Sequence, residues 1–490
     1  MQVNNSTIKF VSLSALCLIA VLTFALIPIN IFCANFPEWV IILLSVIFCG
    51  GLVAYLIIFR TRLFTKIILP IVFALVALGC TLFSYAFPYW NSYFFKDYNG
   101  AILNYDEVIT YEAVEEDMGE LKHYLKRTHP MFKNGISEEV ENAFALSLER
   151  LKNCDEITVN DLRREIQTVL HVMGDAHTTT YNNYPDDAYL KVIPKKTSEG
   201  YNIISINGKS VKQIIEDAKP YYCYETEEWI NIDLGSVATL DFLGYDEPFT
   251  YKWSNGETTI EEIYTANEFV SWDEFVKIRN EYFTSDESKD FVYYDIDEQK
   301  SLVVLTLTEC NYDQTYIDCV KSMFTEIKQK NIQNVAVDLR GNGGGNSLVG
   351  NEFVKYLPVE SYLDGPFEWR WNFISFQGNN EPVKNKRDKN LTFEGDVYIL
   401  TDNGSFSAAK DFAMLIQDNT LGKVLGEPPA NSVNGYGDIT NFYLSNTGIF
   451  VQISTKKWFR IDGTNTDNYV MPDYPCKSND CFEKLYEIIS

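Results

Sequence analysis

Three runs dominated by Leu, Ile, Val, Phe and Ala open the chain, at residues 10–33, 39–59 and 67–87, and none contains a charged residue. A helix needs about 20 apolar residues to cross a hydrocarbon core. A cleaved leader would show one run of about 7–15. The pattern therefore predicts three transmembrane helices, a membrane anchor over residues 1–90 that meets the lipid bilayer through residues 10–87. Arg60, Arg62 and Lys66 lie between the second and third runs, whereas only Ala34, Asn35, Phe36, Pro37 and Glu38 separate the first two. Basic loops stay in the cytoplasm, so everything after Phe87 is expected outside, with Pro88, Tyr89 and Trp90 at the interface.

Beyond a tether over 91–105, the hydrophobic period changes twice. Leu121, Tyr124 and Leu125 recur at helical spacing, as do Leu162, Ile166, Val169, Leu170 and Met173, and Thr158-x-x-Asp161 starts the second helix with a capping signature. These define a helical domain over 106–187. Residues 188–290 read as short strands, with alternation from Tyr201 to Ile206 ending in the tight-turn pair Asn207-Gly208 and a helix expected at 210–219. Over 291–490 strands and helices alternate: strands at Leu302–Thr308, Val335–Leu339 and Val397–Thr401, helices over 313–330 and from about 407 to 418. Such alternation builds a layered α/β core.

Charge narrows the partners. The whole chain carries −26, and residues 1–88 hold only four of the 41 Lys and Arg and one of the 67 Asp and Glu. The acidity thus belongs to the part expected outside the membrane. A surface of that sign repels nucleic acid and anionic headgroups, so no nucleic-acid partner is expected. Ten cysteines show no CxxC and no His/Cys cluster, so neither a metal nor a cofactor is expected. Cys476 and Cys481 are spaced to form a bridge or to remain thiols.

Three segments carry candidate chemistry. Asp338-Leu-Arg340-Gly-Asn342-Gly343-Gly344-Gly345 follows a buried strand, where glycines allow close backbone approach and present N–H groups. No Lys-Ser/Thr follows, which excludes a P-loop. Thr401-Asp402-Asn403-Gly404-Ser405-Phe406-Ser407-Ala408-Ala409-Lys410 runs from a strand through a turn into a helix. A serine there is either a nucleophile, with helix N–H groups to stabilise an oxyanion, or simply a helix cap. Gly174-Asp175-Ala176-His177-Thr178 closes the second helix of the helical domain; of the four histidines, His177 sits just past a helix beside small and polar residues, either with its ring in reach of a cleft or simply as a charge at the helix C-terminus, while His123, His129 and His171 read as structural.

Together these segments resemble the tail-specific, C-terminal-processing serine peptidase family. The DLRGNGGG loop is similar to its D-x-R-x-N-x-G-G segment, and VYILTDNGSFSAA, followed by Gly426-Glu427-Pro428, to its nucleophile segment. Thr128-His129-Pro130 and Gly174–Thr178 resemble the branch containing the tricorn protease core and the interphotoreceptor retinoid-binding protein. The resemblance implies a crotonase-like (ClpP-like) α/β catalytic core over 291–490 and a PDZ-like β module over 188–290, lacking a clear carboxylate-binding loop. It implies Ser407 as nucleophile, with the backbone N–H groups of Ala408 and Gly344 as oxyanion hole. Ser432 stands where the bacterial processing branch has its lysine, so the base implied is His177, as in the tricorn-like branch. An acid before Val470-Met-Pro472-Asp473 completes that branch's set; Asp467 is nearest, one residue off the spacing, and Asp462 competes. The expected activity is a membrane-anchored serine peptidase acting on peptides or protein tails outside the cytoplasmic membrane. The retinoid-binding relatives make a catalytically inactive ligand-binding or sensor protein the alternative.

Overall fold

The computed structural model describes residues 5–32, 38–58, most of 67–79, 100–283, 290–371 and 374–490. Two helices lead the chain, α1 (Asn5–Phe32) and α2 (Glu38–Ile58). They pack through Leu16, Ala20, Phe48, Leu52 and Tyr55, while Leu18, Val46, Val53, Ile57 and Ile58 point outward. Among the residues described with their side chains no helix is long and apolar enough to cross a membrane, and many side chains of α1 and α2 fall outside that set. The basic loop at Arg60, Arg62 and Lys66 and much of the third expected span lie outside the described residues.

The helical segment contains α3 (Tyr111–Thr128), α4 (Glu138–Lys152) and α5 (Val159–His171). Thr158 and Asp161 form a reciprocal capping box at the start of α5, as the sequence pattern indicates. The buried stripe Leu162, Ile166, Val169 and Leu170 faces Val114, Met118, Leu121 and Leu125. This cluster also takes in Leu444, Ile449, Val451 and Ile453 from the far end of the chain, so the helices and the C-terminal region share a single core.

After α5 a two-residue strand, β1 (Thr179–Thr180), leads into the β module. There β2 (Asn202–Ile206), β3 (Lys209–Ser210), β4 (Phe249–Ser254) and β5 (Thr259–Tyr264) form an antiparallel sheet in the order β3-β2-β4-β5. The expected helix on this module runs Val211–Ala218.

The last 200 residues hold two large sheets and a two-stranded ladder pairing Ser361–Tyr362 with Val383–Lys384. A six-stranded sheet takes β6 (Val292–Asp297), β7 (Leu302–Leu307), β8 (Asn334–Asp338), β11 (Asp396–Thr401), β12 (Lys423–Gly426) and β15 (Tyr474–Pro475), in the order β15-β12-β11-β8-β7-β6. All pairings are parallel except β6 with β7. Every residue of β8 is buried, which is what a central parallel strand covered on both faces requires. Helices α6 (Gln314–Lys330) and α7 (Ala408–Asp418) pack on this sheet through Val320, Met323, Phe324, Phe412 and Ile416. A second, antiparallel sheet contains β9 (Phe367–Trp371), β10 (Ile374–Gly378), β13 (Tyr436–Tyr443) and β14 (Phe450–Trp458). The strand β1 joins its β14, with Thr179 opposite Gln452 and Thr180 opposite Val451. That pairing anchors the segment just after His177 to the α/β part of the chain. Near the C-terminus Cys476 and Cys481 are free thiols with their sulfurs 3.7 Å apart.

Candidate active site

Ser407 sits between β11 and α7 with φ +53° and ψ −120°. A non-glycine residue in that region is strained, and such strain clusters at functional sites. The turn is held from several sides. Ser405 Oγ donates to Leu339 O at 2.7 Å, the Phe406 N–H to Asn342 O at 2.9 Å and the Ser407 N–H to Asn431 Oδ1 at 2.9 Å. Asp402 Oδ1 accepts the N–H groups of both Gly341 and Gly404 at 2.9 Å, tying the glycine loop to the serine turn. The Ser407 side chain makes no capping hydrogen bond to α7. Its hydroxyl is therefore not spent on the bland role that the sequence leaves open.

The glycine loop touches this turn. A Cβ on Gly344, at φ +99°, would fall 2.7 Å from both Phe406 O and Ser407 Cβ and 3.0 Å from Ala408 N. Ala408 opens α7, and the first N–H groups of a helix have no partner inside it. Its N–H suits an oxyanion, with the helix dipole adding to it. The Gly344 N–H does not: it is donated to Asn342 Oδ1 at 2.8 Å. The expected second oxyanion donor is thus engaged, because Asn342 folds back across the loop two residues later.

His177 is buried, and its ring stacks on Phe406 with centroids 4.6 Å apart, beside the serine. Trp229 stacks on Phe406 at 4.1 Å. The main chain of His177 is fixed by Asp175 Oδ1, which accepts its N–H at 2.9 Å, and by Gln452 Nε2, which donates to its carbonyl at 2.8 Å. Neither ring nitrogen makes a hydrogen bond, so no bond joins His177 to Ser407 in this conformation. Burial lowers the imidazole pKa first, and the Lys410 charge adds to that, against Asp175 and Asp411, which raise it.

Asp175 and His129, which the sequence reading left without a role, form a buried pair beneath this histidine. His129 Nδ1 accepts the Met131 N–H at 3.2 Å, so its Nε2 carries the proton toward Asp175 Oδ2, 3.0 Å away. Thr178 Oγ1 donates to the same oxygen at 2.6 Å. Burial alone would raise the Asp175 carboxyl, but the His129 hydrogen bond and the neighbouring imidazoles bring it down to about 2.

The expected acid is elsewhere. Asp467 is exposed, its N–H bonded to Asn465 Oδ1 and its carbonyl to Arg460, while the Asp462 carboxylate accepts from Thr464. Local side-chain-to-backbone bonds in the 462–467 loop hold both acids in their own turn. Two acids flank His177, Asp175 and Glu225: polar atoms of the three lie within 4.8 Å of one another. No motif surrounds Glu225, and no local signal could have found it. These three are also the only metal-ligand group among the described residues. Asp175 Oδ2 accepts from His129 and Thr178, and Oδ1 from the His177 N–H. Lys410, the nearby cation, is buried and bonds Asp411 Oδ1 at 2.6 Å.

Residues 301–476 match the model of peptidase family S41. Among solved structures the chain is similar to a mutant of CPAF (TM-score 0.54, 13% identity, covering 77% of this chain and 95% of that one). It is also similar to mature CPAF (TM-score 0.53, 13% identity, 77% and 96%). A photosystem II D1 C-terminal processing protease overlaps it less closely (TM-score 0.43, 13% identity, 78% and 98%). At such identity the two CPAF likenesses speak to the fold alone.

Proposed function

We propose, for a serine peptidase whose residues 301–476 match the model of peptidase family S41, that Ser407 is the nucleophile and His177 its general base. The observation that carries this reading is the strained, uncapped Ser407 pressed against Gly344, with the buried His177 ring stacked beside it on Phe406. Ser407 Oγ bonds the substrate carbonyl carbon while its proton passes to His177, and the carbonyl oxygen takes the Ala408 N–H. His177 then returns the proton to the amine nitrogen as the C–N bond breaks. Water repeats the sequence on the acyl-enzyme, releasing the carboxylic acid and free Ser407. The missing Ser407–His177 hydrogen bond suits a ligand-free state, in which catalytic bonds are often long. It is also the one observation that favours the non-catalytic reading. A fluorophosphonate probe separates the two: the enzyme is expected to gain a single adduct on Ser407, lost in Ser407→Ala, and an unlabelled Ser407 in folded protein rejects the mechanism.

The substrate class that fits is a peptide or unfolded protein tail. Membrane anchoring through residues 10–87, with the catalytic part extracytoplasmic, rests on the charge-free runs and the basic loop at Arg60–Lys66. Protease added to intact cells is expected to release a large fragment lacking residues 1–90. Digestion only after permeabilisation would reverse the orientation.

A further inference from the structure

We propose that Glu225 is the positioning residue for His177, turning the ring toward Ser407 and facing the imidazolium once the serine proton arrives. This rests on the Ser407–His177 reading above.

The segment around Glu225 is clamped onto the α/β part of the chain. Glu225 Oε2 accepts the Ser432 N–H at 2.7 Å, its carbonyl accepts the Tyr469 hydroxyl at 2.9 Å, and Thr226 Oγ1 donates to Ala430 O at 3.0 Å. Ser432, the position where the processing branch resembled here has its lysine, thus supplies a backbone N–H that aims a carboxyl. Glu225 Oε1 is buried without a hydrogen bond, and so are both ring nitrogens of His177. A carboxylate oxygen of Glu225 and a ring nitrogen of His177 lie within 4.8 Å of each other, so a side-chain shift of about 2 Å makes a hydrogen bond of normal length. Asp175 is the only rival carboxyl in this cluster, with Oδ1 3.8 Å from His177 Nδ1. Its oxygens, however, serve the His177 N–H, His129 and Thr178. Glu225 is the carboxyl with an oxygen to spare.

Electrostatics agree with that placement. Burial, then the Asp175 charge, raises the Glu225 carboxyl to about 7, against the Ser432 N–H, Lys410 and the Ala176 N–H. Tyr436 and Tyr469 also feel the Glu225 charge, and Asp411 and Lys410 act on His177. As pH rises through about 7, Glu225 ionises beside an imidazole that burial keeps neutral. The pair is then ready to hold the imidazolium that forms during attack.

The test follows the fluorophosphonate labelling rate of the full chain against pH in native protein, E225Q, E225D and H177A, with thermal melting as a check of folding. E225Q is expected to label about 10²–10⁴-fold more slowly. Its remaining activity should titrate at lower pH, because the anion that favours protonated His177 is gone. E225D is expected to recover part of the rate and the native midpoint. Near-native labelling of E225Q overturns the proposal, as does a slow E225Q with an unmoved midpoint that E225D does not rescue. Should E225Q not fold, E225D decides alone: a rate at least about tenfold below native supports the role, and a native rate overturns it. H177A separates the two readings. If H177A is dead and E225Q is not, only Glu225 loses its role; if H177A labels at the native rate, the Ser407–His177 mechanism itself falls.

Discussion

Replacing His177 with alanine is expected to lower turnover about as far as replacing Ser407, on the order of 10⁶-fold, because members of one catalytic unit do not act additively. A serine hydroxyl is a weak nucleophile at neutral pH and needs a neutral base within reach. Burial holds the His177 pKa below its ordinary value, which favours the neutral imidazole with one ring nitrogen free to accept a proton. The rival cation is Lys410, whose ammonium is bonded to Asp411 inside the protein. Lys410→Met is therefore expected to keep most of the activity toward an unfolded protein such as casein. Steady-state hydrolysis by S407A, H177A and K410M checks the assignment. Near-native turnover in H177A together with its loss in K410M would transfer the base role to the lysine.

Alanine at Gly344 is expected to slow the enzyme by at least about 10²-fold. At φ +99° an L-residue is strained by about 1–3 kcal/mol before any contact is counted. The new methyl would also lie 2.7 Å from Ser407 Cβ and Phe406 O, and 3.0 Å from Ala408 N. The backbone atoms there cannot swing aside as a flexible side chain can. Either the glycine loop or the serine turn must move, and a misplacement of about 1 Å costs about 10²-fold in rate. Gly344→Ala is thus expected to lower kcat by at least about that factor, with a lower melting temperature. Gly343→Ala is the control: its Cβ meets nothing within 4 Å, so activity and melting should stay close to native. Equal behaviour of the two variants would show that the 344 contact does not shape the site.

Features with a local cause could be read along the chain. The unbroken run through Val335–Val337 could only be a buried strand, and it is the centre of the parallel sheet. Thr158 and Asp161 cap α5 because both partners lie within one turn. The strand-turn-helix around Ser407 and the glycine loop were legible because glycine content and hydrophobic period encode backbone conformation directly. Tertiary structure alone decided everything that depends on which distant atoms meet. The pairing of β1 with β14 brings residue 180 to residue 451 and so carries His177 to the serine turn. His129 meets Asp175 across 46 positions, and nothing near either residue announces it. Asp467 had the right residue type at nearly the right spacing, yet its loop leaves it in solvent, while Glu225, without any motif, is placed beside His177. The family resemblance implies the Gly344 N–H as an oxyanion donor, but the Asn342 side chain already accepts it. Local pattern sets the course of the backbone; the direction a carboxylate or an N–H finally takes depends on long-range packing and on competing hydrogen bonds, which a linear spacing does not contain.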